Sequence, residues 1–324
     1  MRSMTPAQKS LRIQGIARDL GFEGVGIAPA APVRRAAYLG QWLAEGRAGR
    51  MDYLHRHSQA REDSRGLLPG AKSVIVVAHN YYHPSPPRPD DRPRGRVAMY
   101  AWGRDYHRVI RKKLHTLIDR MRRIFDEPFD ARACVDTAPL LERELAAAAG
   151  IGWIGKNTMV LNAELGSYFF LGEIVTTLEL AFDEPVLDRC GRCTRCLDAC
   201  PTGALDAPYR MDASRCIAYL TIELRDPVPE GLGSHMRDWV YGCDICQEAC
   251  PHNRRAPETS EPAYAIRDPG PHPLLADLLA WTQEDYDRVL RGSAMKRAKA
   301  HMLARNAAIA QANCVSAFPF RAAR

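Results

Sequence analysis

The sequence predicts an α/β domain over residues 1–180, a cysteine-rich ferredoxin-like module over 181–256 and a basic helical tail over 257–324. Three observations carry this prediction. Strand and helix patterns alternate as far as about Leu180, and eight of the ten cysteines crowd between Cys190 and Cys250. From Arg288 onward there are eight Lys or Arg residues and no Asp or Glu. At 36.2 kDa and 46% hydrophobic residues the chain can bury a full core in two or three domains.

The elements follow in order. Pro6 to Leu20 reads as an amphipathic helix with Leu11, Ile13, Ile16, Ala17 and Leu20 on or near one face, stopped by Gly21. A short strand spans Val25 to Ala28, and helical stretches follow through Trp42 and around Met51 to Gln59. Ser73 to His79 is a continuous apolar run, the mark of a strand buried on both faces. The proline-rich stretch from Pro84 to Pro93 is an extended solvated loop. Asp105 to Phe125 forms a long basic helix, Ala131 to Val135 a strand, Pro139 to Ala149 a helix ended by Gly150, and Ser167 to Leu180 returns to strand character. After the proline-rich connector Pro257 to Pro273, Leu274 to Leu290 and Ala294 to Cys314 read as helices.

The cysteines stand as Cys190, Cys193, Cys196 and Cys200 followed by Pro201, then Cys216, then Cys243, Cys246 and Cys250 followed by Pro251. Gaps of two, two and three residues closed by proline form the bacterial ferredoxin run, in which the fourth cysteine ligates the other cluster. That exchange groups Cys190, Cys193, Cys196 and Cys250 around one 4Fe-4S cluster. The second group is Cys200, Cys243 and Cys246, completed by Cys216 because the second run lacks a first cysteine. Zinc also takes paired cysteines, but three thiols at successive short gaps suit a cubane corner better than a tetrahedral ion. A disulfide framework belongs to short secreted chains. Cys134 and Cys314 are read as free buried thiols. Reduced cluster-ligating thiolates, no apolar core in Met1 to Ser10 and no run long enough for a membrane span give the expectation of a cytoplasmic chain with no membrane partner.

The net charge of +7 is localised. Without the tail, 37 basic residues face 38 acidic ones. Arg288, Arg291, Lys296, Arg297, Lys299 and Arg305 recur at helical spacings, which gives either a basic ridge for a polyanion or a solvated helix face.

Two clusters store and pass electrons, so the activity depends on the first domain. No Gly-x-Gly-x-x-Gly follows a strand and no Walker sequence is present, so neither a dinucleotide fold nor an ATPase is signalled. The densest polar segment is Val135 to Arg143, followed by Gly152 to Thr158. Asp136 lies where a strand runs out into a turn, as either a helix cap or a general acid whose pKa is raised by an apolar pocket.

Trp102 to His107, Val135-Asp136-Thr137-Ala138-Pro139, Gly152 to Thr158, Gly166 to Glu173 and the two cysteine runs, in this order, closely resemble the epoxyqueuosine reductase family, from about Gly21 to about Asn313. The resemblance implies a corrinoid-binding α/β domain, reductive-dehalogenase-like, joined to the dicluster module and a short C-terminal helical segment. It implies cobalamin and two 4Fe-4S clusters as cofactors. The implied reaction is reduction of epoxyqueuosine to queuosine at the wobble position of tRNA, with Asp136 as proton donor. Arg61, Asp136, Val160, Leu171 and the stretch Gly242, Cys243, Asp244 and Ile245 are the implied cobalamin contacts.

Asp105 and His107 match a signature that places histidine beneath cobalt in other cobalamin proteins, but Ile110 stands where that signature has glycine, so His107 is not assigned as an axial ligand. The tail would then meet the phosphates of tRNA. Arg291 to Arg297 and Leu303 to Asn306 match the start of a HEAT-like region, and the sequence ends at Arg324. A monomer fed by a low-potential electron donor is expected. Two other readings remain: a corrinoid iron–sulfur reductase of a small molecule, dehalogenase-like, and a dicluster electron-transfer protein without chemistry of its own.

Overall fold

The computed structural model describes residues 4–317. Its strands are β1 (Gly24–Pro29), β2 (Ser73–Asn80), β3 (Arg96–Val97), β4 (Ala131–Cys134), β5 (Trp153–Ile154), β6 (Val160–Leu161), β7 (Phe169–Thr176) and β8 (Trp239–Tyr241). The main sheet has the order β1-β2-β7-β4, with every pairing antiparallel. A continuous apolar run is more often found in parallel sheets, and here it serves the same end by another route. All eight residues of β2 are buried, because helices cover both faces. Successive side chains alternate between faces. Ile75 and Val77 join Ile13, Ala17, Ile110, Leu114 and Leu117 in one core. Val74, Val76 and Ala78 join Leu145, Ala146 and Val175 in the other.

The helix Pro6–Asp19 starts from a Thr5–Gln8 capping box with proline in its first turn, which satisfies otherwise orphaned backbone donors. Ile13 and Ala17 are fully buried, while Leu11, expected near the same face, is 69% exposed. Two residues before Ile13 is about 200° around an α-helix, so Leu11 belongs to the opposite side. The helix Tyr106–Ile124 buries Ile110, Leu114, Leu117, Ile118 and Met121 and is capped by the Asp105 side chain.

The cysteine module docks onto this domain through Ser167, Gln247 and Asn253. Asn253 Oδ1 accepts the Ser167 N–H (2.7 Å), its Nδ2 donates to Ser167 Oγ (2.9 Å), and Ser167 Oγ meets Gln247 Oε1 at 2.9 Å. All three are buried, and buried polar groups require such partners. Gly166, at φ +71°, leaves room for this: a Cβ there would stand 2.3 Å from Asn253 Oδ1.

The tail is built into the body. In the helix Ala300–Ala317, Met302, Leu303, Ala307 and Ala310 are buried. Asn306 donates to the carbonyls of Thr221 and Val240, both at 2.9 Å. Arg305 donates to those of Leu220 (2.7 Å), Leu224 (2.8 Å) and Asp226 (2.5 Å). Among the described residues no helix is long and apolar enough to cross a membrane.

Candidate iron–sulfur and proton-transfer site

The helix Arg195–Ala199 carries Cys196 and packs against the helix Ile245–Glu248, which carries Cys246. Their proximity makes the exchange between the two cysteine runs possible. Cys190, Cys193, Cys196 and Cys250 line one cavity with Lys156, Asn157 and His252. In the other group, burial first and neighbouring thiols second push the Cys216, Cys243 and Cys246 thiols up. Cys200 acts on Cys216, Cys216 and Cys246 act on Cys243, and Cys216, Asp244, Cys196 of the first group and Cys200 act on Cys246. Among the described residues no three potential ligands converge as closely as a single ion requires. The first four thiols surround a space instead, which fits a cluster with an iron behind each sulfur.

The segment between β5 and β6 ties both cysteine loops to the first domain. Lys156 Nζ donates to the Gly191 carbonyl (2.6 Å) and the Cys193 carbonyl (3.0 Å), while Asn157 Nδ2 reaches the Cys246 carbonyl at 3.5 Å. Sequence reasoning singled out this motif without a role for Lys156; the signal was an isolated lysine in a polar turn.

Asp136 follows β4 in a left-handed conformation (φ +54°), unusual for a non-glycine residue. Its N–H donates to Glu142 Oε1 at 2.6 Å. It caps no helix: Glu142–Ala148 begins after Leu141 without a side-chain cap. The Asp136 carboxyl is 57% exposed, and its Oδ2 lies 3.1 Å from His107 Nε2. His107 Nδ1 lies 2.7 Å from Asp105 Oδ1. The imidazole stacks on Tyr106, which stacks in turn on Phe170, both at 4.1 Å between ring centroids.

Charge in this row runs opposite to the sequence expectation. Burial acts upward on the Asp136 carboxyl, but His107, with Arg297 and Tyr106, holds it below the ordinary value. Burial works against a charged His107, yet Asp105 and Asp136 outweigh it and raise the imidazole to about 9. Between His107 and Asp136 these shifts favour the proton on the histidine. Asp105 and His107 entered the sequence reading only as an imperfect cobalt-ligand signature; both ring nitrogens have carboxylate partners.

The implied cobalamin contacts differ in burial and in partners. Arg61 lies within electrostatic reach of Asp136, Glu142 and Tyr53, and its buried Nε has no partner. That orphaned donor fits a carbonyl acceptor such as a corrin amide. Leu171 is partly buried against the second core, and Val160 is 4% exposed within it. Gly242, at φ +67°, donates its N–H to Thr221 Oγ1 (2.9 Å). Asp244 is buried and accepts the Met99 N–H at 2.6 Å, with burial pushing its carboxyl up to about 7. Ile245 is 7% exposed and packs with Leu220 and Trp239.

The basic ridge does not form as one helical face. Gly292 (φ +72°) and the extended Ala298 break the segment. Arg288 pairs with Asp285, Lys296 with Asp287 and Arg297 with Glu223, while Arg305 is anchored on backbone carbonyls. Arg291 and Lys299 make no ion pair among the described residues, and Arg321 and Arg324 lie outside them.

Fold and cysteine array together define an iron–sulfur oxidoreductase with a double-cluster module docked on an α/β domain. Residues 189–253 match the family described as 4Fe-4S double cluster binding domain, and residues 61–137 match Epoxyqueuosine reductase QueG, DUF1730. An epoxyqueuosine reductase from Pseudomonas aeruginosa is 41% identical over 323 residues, covering 97% of this chain and 88% of that protein. A solved epoxyqueuosine reductase with a tRNA-Tyr epoxyqueuosine-modified stem loop superposes with TM-score 0.85 at 31% identity, over 94% of this chain and 81% of that one. The Bacillus subtilis enzyme, described with its aspartate catalytic loop swung out of the active site, gives 0.85 at 30% identity, over 95% and 82%. The chain belongs to the epoxyqueuosine reductase family.

Proposed function

We propose that this chain reduces epoxyqueuosine to queuosine in tRNA, with Asp136 delivering protons and with the eight cysteines from Cys190 to Cys250 holding two 4Fe-4S clusters. The reaction takes two electrons and two protons. Both carbon–oxygen bonds of the epoxide break, a carbon–carbon double bond forms and the oxygen leaves as water. Cobalamin, when bound, supplies electrons to carbon, a task no side chain performs. Arg61 would hold a polar edge of the corrin.

The single observation that supports this reading most directly is the row Asp105, His107, Asp136, open to solvent at its Asp136 end. A carboxylate kept below its ordinary pKa is a poor acid by itself. Beside a charged imidazole it becomes a relay: as negative charge grows on the departing oxygen, His107 Nε2 gives its proton to Asp136 Oδ2, and the same carboxyl passes a proton on. Asp105 fixes the tautomer by accepting from Nδ1. The stack on Tyr106 limits rotation of the ring between the two carboxylates. The loop carrying Asp136 is expected to move, as in the Bacillus subtilis relative.

The test is reconstitution with iron, sulfide and cobalamin, followed by a reductive assay on an epoxyqueuosine-containing tRNA stem loop, read as loss of one oxygen from the nucleoside. Product absent despite full cofactor loading rejects the assignment. Asp136→Asn at wild-type turnover with intact cofactors rejects Asp136 as the proton donor. A protein that binds iron and sulfide but no cobalamin favours the electron-transfer reading.

A further inference from the structure

Beneath Asp136 lies an acidic pair that the relay does not use. Glu173 sits in the middle of β7, opposite Cys134 of β4 and Val76 of β2. It is 0% exposed, and no N–H or hydroxyl donor reaches either carboxyl oxygen. Glu142 stands beside it, close enough for the two carboxyls to share a proton, and that hydrogen bond raises Glu173 while lowering Glu142. Glu142 in turn accepts the N–H of Asp136 at 2.6 Å. A glutamate at the centre of a sheet, where valine or isoleucine would pack without cost, is destabilising unless it has a task.

We infer that Glu142 and Glu173 are positioning residues for Asp136: Glu142 fixes the Asp136 N–H and so its left-handed turn, and neutral Glu173 supports Glu142 from within the sheet. The inference rests on Asp136 being the proton donor for its catalytic consequence, but the geometry stands without it. Two adjacent carboxyls, one half-buried and one fully enclosed, do not both ionise. The other groups acting on Glu142 are Asp136 and Arg143, with Arg61 and Tyr106 responding to its charge; on Glu173 they are Glu142 and Asp136. No cation acts on Glu173, so it keeps its proton while Glu142 ionises first. Burial, followed by the neighbouring carboxylates, displaces both acids upward.

An ionised Glu142 makes a charge-assisted bond to the Asp136 amide, about twice as strong as a neutral one. The turn is therefore held more firmly as pH rises through the Glu142 titration and loosened as pH falls. Loosening lets the carboxyl leave His107, which would couple proton delivery to the state of a half-buried acid 6 residues further along the chain.

The test is amide hydrogen–deuterium exchange of the 135–140 segment in the cluster-loaded protein, corrected for intrinsic exchange across pH, for wild type, Glu142→Gln, Glu173→Gln and Glu173→Leu. Expected are roughly tenfold faster exchange and loss of pH dependence in Glu142→Gln, faster exchange in Glu173→Leu, and rescue in Glu173→Gln, whose amide still donates. If Glu173→Leu fails to fold, the Glu142→Gln profile decides. Unchanged exchange and pH dependence in Glu142→Gln overturns the inference. So does a loss of protection shared equally by β2, which marks a purely structural role. Single-turnover rates on the stem loop should drop with the loosened segment. Full turnover by Asp136→Asn would instead reject the proton-donor reading and leave the exchange result intact.

Discussion

His107 Nε2 and Asp136 Oδ2 stand 3.1 Å apart, and the histidine carries the higher pKa of the two, about 9 against a carboxyl held below its ordinary value. Under the proposed function the acid of this site is a pair, with the proton stored on imidazole and presented through carboxylate.

His107→Gln should cut single-turnover reduction about 100-fold while leaving iron and sulfide content unchanged, since general acid catalysis is worth about 100 to 10,000-fold. The pH dependence has a definite sign. The folded pKa of His107 is raised, so its ion pair is fully formed below about 6.5, the ordinary value, and is lost as pH rises through about 9. Reduction should decline above pH 9 in the wild type and lose that limb in His107→Gln. A wild-type rate that keeps rising beyond pH 10 would contradict the relay.

Lys156→Met should weaken the first cluster and spare the second. The substitution leaves the Gly191 and Cys193 carbonyls without their donor and frees the loop that carries two of the thiols. Iron content should fall from about eight towards about four per chain, with the remaining signal retained in low-temperature electron paramagnetic resonance. Loss of both clusters, or neither, would count against the grouping.

Asn253→Ala removes the amide that satisfies both Ser167 and the Gln247 carbonyl. Leaving buried partners unsatisfied costs about 1–3 kcal/mol each, so thermal unfolding should begin several degrees lower. Gly166→Ala should do the same by collision with Asn253 Oδ1. An unaltered melting profile in both would show that the two parts are held together elsewhere.

Charge reversal at Arg291 and Lys299 together should weaken binding of a tRNA stem loop and flatten its salt dependence by about two phosphate contacts. Arg305→Ala should lower stability instead, because its guanidinium is engaged by the Leu220, Leu224 and Asp226 carbonyls. Equal stem-loop binding by the Arg291 and Lys299 variant would remove the tail from the interface.

The double-cluster module was legible in the sequence because cluster ligation is written in short spacings along the chain. The strand Ser73–Asn80 was legible too, since its burial shows as an unbroken apolar run. The antiparallel order of the sheet was not, because strand direction depends on how long connections return. Leu11 was placed near the wrong face, where one exposed leucine makes a helical pattern ambiguous. Glu142 and Glu173 are separated by 31 residues and have no shared local pattern.

By itself the sequence determined that a double-cluster module follows an α/β domain, where the long strands and helices of that domain run, and that Asp136 lies at the end of a strand. Those properties follow from residue type and near-neighbour spacing. Tertiary structure decided how charge is distributed. It brought Asp105, His107 and Asp136 into one row, and placed Glu173 beneath Glu142. It also tied down much of the tail, pairing Arg297 with Glu223 and anchoring Arg305 on backbone carbonyls. Proton affinities depend on burial and on charges a few ångströms away in space, and neither distance is set by position along the chain.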